Sequence, residues 1–207
     1  EEIPVSLEGN SDSFRMKLSF LPNGNCVILP NINGRGYGFF KITEGESSGL
    51  WSVLRSSEDE VLKGSLLITL YENLRWKTIS PQGFREEMLA YLPNESNSLL
   101  FSMALSYLGD CQRIFPSDSR PLEQVLWKIV TTNPVSQHRL QAFRLYRSIA
   151  DSEEAVQRLY TLWQERKAPK DCALSESDYI GLSYMLAMHL PEKADKIIAT
   201  QLSRIQN

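Results

Sequence analysis

The sequence is poor in the residues that usually hold metals or form disulfide bonds, with three cysteines and two histidines among 207 residues. Cys26, Cys111 and Cys172 lie far apart and are odd in number, so they predict buried free thiols rather than a disulfide framework or a C-x-x-C metal pair. His138 and His189 lie outside the H-E-x-x-H pattern that places two imidazoles on one helix face. We expect His138 at the surface and His189 near the end of a helix. The sequence therefore predicts no metal site and no catalytic residues in this chain.

The sequence also lacks an excess of positive charge and any long apolar run. Its formal net charge is -3, which gives no reason to expect the clustered Lys and Arg of a nucleic-acid surface. No apolar run reaches the roughly 20 residues that a membrane span needs, and the first residues do not resemble a signal peptide. Because a strand is expected at the first residues and a helix at the last, we expect a fragment of a longer protein. No cellular compartment is predicted.

The first part of the chain carries the period-two alternation of half-buried strands. Turn-forming stretches at 9–12 and 22–25 separate these alternating segments. We predict roughly four strands and assign residues 1–45 to a small antiparallel β-sandwich portion that is truncated. The alternating apolar residues are Ile3, Val5, Leu7, Phe14, Met16, Leu18 and Phe20.

The predicted β portion ends in a junction, Leu29 to Ile42, where the alternation stops and helical periodicity begins. Asn and Gly residues in this stretch favour a tight turn, and 37–42 then read as one last strand. We expect Gly36 to have a positive φ or to lie where another backbone passes closely. Gly34, Gly36 and Tyr37 are the predicted junction residues.

The rest of the chain, residues 46–207, shows helical periodicity with a start signal before each helix. Ser57 to Glu60 reads as a capping box, opening a helix that runs to about Trp76 and is apolar nearly all round. Ser80-Pro81 and Ser175 to Asp178 are further start signals. We predict roughly nine helices joined by short loops in antiparallel hairpins. Without a sequence repeat, the predicted fold is a mainly α, irregular HEAT-like α-solenoid.

The junction carries a family resemblance. P-N followed by N-G-R-G-Y-G-F-F resembles the junction of the zinc metallo-aminopeptidase N family, where a Gly-Tyr-Tyr-Arg-Val strand ends a β-sandwich and introduces a C-terminal helical domain. Gly36 and Tyr37 match that pattern, whereas Gly38, Phe39 and Phe40 replace its Tyr, Arg and Val. The order of the predicted helices is also similar to the helical domain of this family.

The resemblance implies a role without catalysis for this part of the enzyme. The H-E-x-x-H zinc motif and the G-x-M-E-N motif that anchors the substrate amine are both missing from the sequence. The resemblance places them, with the zinc cofactor, in an upstream catalytic domain of the same polypeptide. It implies that this region encloses the active-site chamber and helps to hold the peptide substrate. The alternative is a free-standing helical-repeat scaffold that binds a partner protein.

One basic stripe is a candidate for substrate binding. Arg139, Arg144 and Arg147 lie on one predicted helix beside Phe143 and Tyr146, and the guanidinium fork suits a peptide carboxylate. The resemblance implies that the inner surface of the helical domain contacts the distal part of the peptide. Ordinary surface pairing of the same arginines is the alternative, because long Arg stems often cover apolar surface without a ligand.

Overall fold

The computed structural model describes residues 28–34, 36 and 38–205 of the chain. These residues form nine α-helices, two short 3₁₀ helices at Leu92–Asn94 and Pro191–Lys193, and no strand. The mainly helical class that the periodicity predicts is confirmed. In chain order the helices are α1 (Glu44–Ser56), α2 (Glu60–Arg75), α3 (Pro81–Tyr91), α4 (Ser98–Ile114), α5 (Arg120–Thr132), α6 (Ser136–Ile149), α7 (Glu153–Glu165), α8 (Glu176–His189) and α9 (Ala194–Arg204).

The predicted β-sandwich portion is wrong. Residues 38–42, which were expected to form its last strand, run without strand structure into α1. The backbone groups that a neighbouring strand would pair are bonded instead to a buried side chain of α2. Asn73 accepts from the Ile42 amide at 2.9 Å and donates to the Phe40 carbonyl oxygen at 2.8 Å. The strands predicted before residue 28 lie outside the described residues.

Local capping explains most helix starts. Ser80 accepts from the Gly83 amide at 2.9 Å ahead of Pro81, and Ser175 and Asp178 form the predicted capping box of α8. The start of α2 differs from the prediction, since Asp59 rather than Ser57 accepts from the first free amides. Ser57 accepts from the Asp59 amide at 3.1 Å and ends α1. A carboxylate next to the helix therefore caps it in place of the hydroxyl two residues earlier.

The helices form two layers. α2, α4, α6 and α8 pack against one another in that order, and we call them the even-helix layer. α1, α3, α5 and α7 cover one side of this layer, each next to the even helix that follows it, while α9 packs on α8. One continuous core runs between the layers, from Leu50 and Trp51 near the start to Leu186 and Ile197 near the end.

Two glycines let the even helices approach closely. A Cβ atom on Gly109 of α4 would lie 2.9 Å from Leu145 on α6, and one on Gly181 of α8 would lie 2.5 Å from the Arg147 guanidinium on α6. Real Cβ contacts are longer, so a side chain at either position would force the end of Leu145 or of Arg147 to move. The two glycines therefore leave room for these side chains of α6 between the helices.

Candidate functional site

Among the described residues, no helix covers the side of the even-helix layer that faces away from the odd helices, and two grooves lie there. The first, which we call the apolar groove, has a volume of about 800 Å³ and lies between α2, α4 and the segment 31–40. The second, the polar groove, has a volume of about 630 Å³ and lies between α4 and α6. Its polar lining consists of Ser102, Ser106, Asp110, Gln112, Arg113, Gln141, Arg144 and Ser148.

The junction forms one wall of the apolar groove through a tight turn. Asn31 and Gly34 both have positive φ values, 54° and 67°, and the Gly34 amide donates to the Asn31 carbonyl oxygen at 3.0 Å. Gly36 donates its amide to the Asn31 side-chain oxygen at 2.6 Å. A Cβ on Gly36 would lie 2.9 Å from that oxygen and 2.9 Å from Phe40. Both expectations for Gly36 are therefore wrong, because the positive φ falls on Gly34 and the atoms that crowd Gly36 belong to side chains rather than to a passing backbone.

Two polar residues of α2 hold the junction in place. Ser65 donates to the Asn31 carbonyl oxygen at 2.5 Å, and the fully buried Asn73 bonds Phe40 and Ile42. Neither residue was predicted from the sequence to hold the junction, and Tyr37, the third predicted junction residue, lies outside the described part. The available signal was a polar side chain inside an otherwise apolar helix, because such a group needs a partner when buried.

The three predicted binding arginines are engaged within the protein. Arg139 donates from Nη1 to the Lys170 carbonyl oxygen at 2.8 Å and to Asp171 at 3.2 Å. Arg144 forms a bidentate pair with Asp178 at 2.9 and 3.2 Å. Arg147 donates to the Asp178 carbonyl oxygen at 3.1 Å. The stripe therefore ties α6 to the start of α8 and to the loop before it.

The electrostatics around Asp178 follow from this packing. Burial alone would raise the pKa of Asp178, but hydrogen bonds from Arg144 and Ser175 outweigh it and lower that pKa to about 2. Burial lowers the pKa of Arg147, whereas the bond to Asp178 raises the pKa of Arg144. Half of the Arg144 side chain stays accessible, and it lines the polar groove. Of the three arginines, Arg144 is therefore the one placed to reach a ligand.

The two histidines differ from each other. His189 is exposed at the end of α8, as predicted. His138 is completely buried, so the surface prediction for it is wrong. Its Nε2 lies 3.0 Å from the Ser98 hydroxyl, its ring stacks on Phe101, and burial lowers its pKa. Helical periodicity places His138 in line with Ala142, and this stripe faces α4 rather than solvent.

The described residues hold no group of three or more His, Cys, Asp or Glu side chains arranged to bind a metal ion. Cys111 and Cys172 are buried free thiols, as predicted, while Cys26 lies outside the described part. None of the described helices combines the length and apolar character needed to cross a membrane.

Comparison with known proteins gives no match to a protein family, to a curated protein or to a solved structure.

Proposed function

We propose that this chain is a non-catalytic helical region of a zinc-dependent aminopeptidase resembling aminopeptidase N. It encloses the active-site chamber and contacts the peptide beyond the scissile bond. Support comes from the P-N and N-G-R-G-Y-G-F-F junction and from the helical array that begins a few residues later, at Glu44. The β-sandwich is not part of this proposal.

In the proposed enzyme, the zinc site lies in the upstream catalytic domain and not in this chain. The described residues do not offer the ligands that a catalytic zinc needs, and the sequence lacks H-E-x-x-H. Zinc would polarise the scissile carbonyl and its bound water when held by the upstream catalytic domain. What this chain supplies is a wall of the chamber and polar contacts, so its own residues bind and orient the peptide.

The observation that carries the proposal is the polar groove on the open side of the even-helix layer. Arg113 is the most accessible cation there, with a side chain 75% exposed and an ion pair to Asp110 one turn earlier. Arg144, Ser106 and Gln141 add donors and acceptors within the same groove. Hydrogen-bonding groups beside the accessible Arg113 guanidinium suit the backbone and terminal carboxylate of a peptide.

The first experiment compares this chain with the full open reading frame that contains it. The full protein should hydrolyse aminoacyl chromogenic substrates with a dependence on zinc, and the isolated chain should show no turnover with or without the metal. Zinc-dependent turnover by the isolated chain after thorough purification would overturn the proposal. A full reading frame without H-E-x-x-H and G-x-M-E-N would also overturn it.

The second experiment tests the polar groove in the full protein. Arg113→Glu should raise KM for peptides of about ten residues and leave hydrolysis of single aminoacyl substrates unchanged. The reason is that the groove contacts the distal part of the peptide only. Lys128→Glu, at an exposed position on α5, is the matched charge reversal. It should change neither KM for the longer peptides nor hydrolysis of single aminoacyl substrates. Equal KM values for Arg113→Glu and Lys128→Glu would exclude the groove from binding.

A partner-binding scaffold is the second candidate, and the stacked even-helix layer with its polar groove favours it. Scaffolds of stacked helices commonly bind partners on an open face of the stack. The two candidates differ in the parent protein, because a scaffold needs neither the zinc motif nor the amine anchor. A full reading frame without both motifs and without peptidase activity would support the scaffold.

A further inference from the structure

The apolar groove exposes an unusual concentration of large hydrophobic side chains. Trp76 is 72% exposed and Leu99 is 70% exposed, while Phe39 packs against Trp76 with a ring-centroid distance of 5.7 Å. Val61 and Ile68 extend the patch along the outer side of α2. These five side chains line one continuous groove. Contiguous exposed apolar surface of this kind marks an interaction site.

The charges around the groove do not specify a highly charged occupant. Glu60 and Glu72 on α2 are offset in part by Arg75, and the remaining lining is mostly apolar. The side chains of α2 behind the groove, including Leu66 and Leu70, are fully buried in the core. The groove therefore has a rigid floor and an open apolar top, which fits an apolar segment that contacts it along one side.

The chain itself provides such a segment next to the groove. The described residues among 31–40 form one wall of the groove. Ile28 precedes Asn31 by three residues, which is about 10 Å of extended chain. Twenty-seven residues lie before Ile28, and about ten extended residues already span more than 30 Å. Within 14–20, apolar residues recur at every second position, as Phe14, Met16, Leu18 and Phe20.

We propose that residues 1–27 of this chain cover the apolar groove, with apolar side chains of 14–20 packed against α2 and α4. This docking would remove Trp76 and Leu99 from water at low entropic cost, since the segment is tethered beside the groove. The proposal does not depend on the aminopeptidase assignment.

Photo-crosslinking of the full chain tests this docking. Benzoylphenylalanine replaces Leu99 in one protein and Met188 in another, the latter an exposed position on α8. After irradiation and tryptic digestion, fragment-ion spectra locate the crosslinked residue, and the Leu99 protein should yield crosslinks within one molecule to residues 1–27 rather than to 31–34 of the same tryptic peptide. The Met188 protein should yield none. Crosslinks that join two copies on a denaturing gel, or no crosslink from Leu99, would overturn the proposal.

A pair of substitutions tests whether the apolar side chains make the contact. Leu18→Asp should reduce the yield of the Leu99 crosslink at least fivefold. It should also raise the acrylamide quenching of tryptophan fluorescence, and Trp76→Phe should abolish that increase because the other three tryptophans are not in the groove. Lys17→Asp, the adjacent polar position, should leave both unchanged. Circular dichroism at 222 nm checks that the helices remain folded in each variant. An undiminished crosslink in Leu18→Asp would contradict the proposed apolar contact.

Discussion

Asn73→Ala is the substitution that most directly tests how the junction is held. The Asn73 side chain is fully buried in α2 and makes four hydrogen bonds. It accepts from the Ile42 amide at 2.9 Å and from the Thr78 hydroxyl at 2.6 Å. It donates to the carbonyl oxygens of Phe40 and Thr69 at 2.8 and 2.9 Å. Alanine would remove all four bonds without disturbing the helical backbone.

The expected loss of stability depends on which partners can find water. The Ile42 amide is buried, so it would lose its partner outright, at a cost of about 1 to 3 kcal/mol. Phe40 and Thr78 are partly accessible, so water can replace part of their bonds and each loss costs about 0.5 to 1 kcal/mol. Thr69 retains its helical bond. The sum is about 2 to 5 kcal/mol, a large share of the roughly 5 to 15 kcal/mol that stabilises an ordinary domain.

Urea unfolding followed by circular dichroism at 222 nm measures this loss from the shift in midpoint at constant slope. Asn94→Ala is the matched control, because Asn94 is exposed and makes one local bond to the Ala90 carbonyl oxygen. The control should change the free energy of unfolding by less than about 0.5 kcal/mol. If Asn73→Ala lowers the free energy of unfolding by no more than this control does, the buried Asn73 side chain does not take the place of a strand neighbour.

Three further predictions concern the core, the turn and the response to acid. Leu70→Ala, at a fully buried position, should lower the free energy of unfolding in urea by about 2 to 5 kcal/mol. The control Leu202→Ala, at an exposed position, should lower it by less than about 1 kcal/mol. Gly36→Val should lower the melting temperature because its Cβ meets Asn31 and Phe40, whereas Gly38→Val, with open space around it, should not. Because the pKa of Asp178 is lowered to about 2, its stabilising contribution is complete above pH 4 and is lost between about pH 4 and pH 2. Unfolding titrations should show this loss, about 2 kcal/mol, and Asp178→Asn should remove it. An unchanged pH dependence in Asp178→Asn would contradict the assignment.

Features controlled by neighbouring residues could be predicted from the sequence. The cap at Ser80, the capping box of Ser175 and Asp178 and the helical periodicity all act within a few residues, so the helical class and these two helix starts are confirmed. The start of α2 shows the limit of this reasoning. Ser57 and Asp59 are both good caps, and only the path of the chain after α1 determines which of them contacts the free amides.

The prediction of a strand at 37–42 is wrong because aromatic and branched residues specify only that one side of the segment should be buried. A strand also needs a neighbouring backbone, and in the described residues the Asn73 side chain bonds Phe40 and Ile42 in that role. Asn73 is more than 30 residues away along the chain. No local pattern in 29–42 could therefore have shown that α2 holds this segment.

Capping and periodicity specify a mainly helical chain, because they depend on residues within one or two turns of one another. Tertiary packing sets which faces of the helices remain exposed. It buried His138 against Phe101, paired Arg144 with Asp178 and left one side of α2 uncovered. Arg144 and Asp178 are 34 residues apart along the chain, so packing of α6 on α8 brings them together. Whether a side chain is buried or paired therefore depends on the helix that packs against it, and the local sequence does not specify that helix.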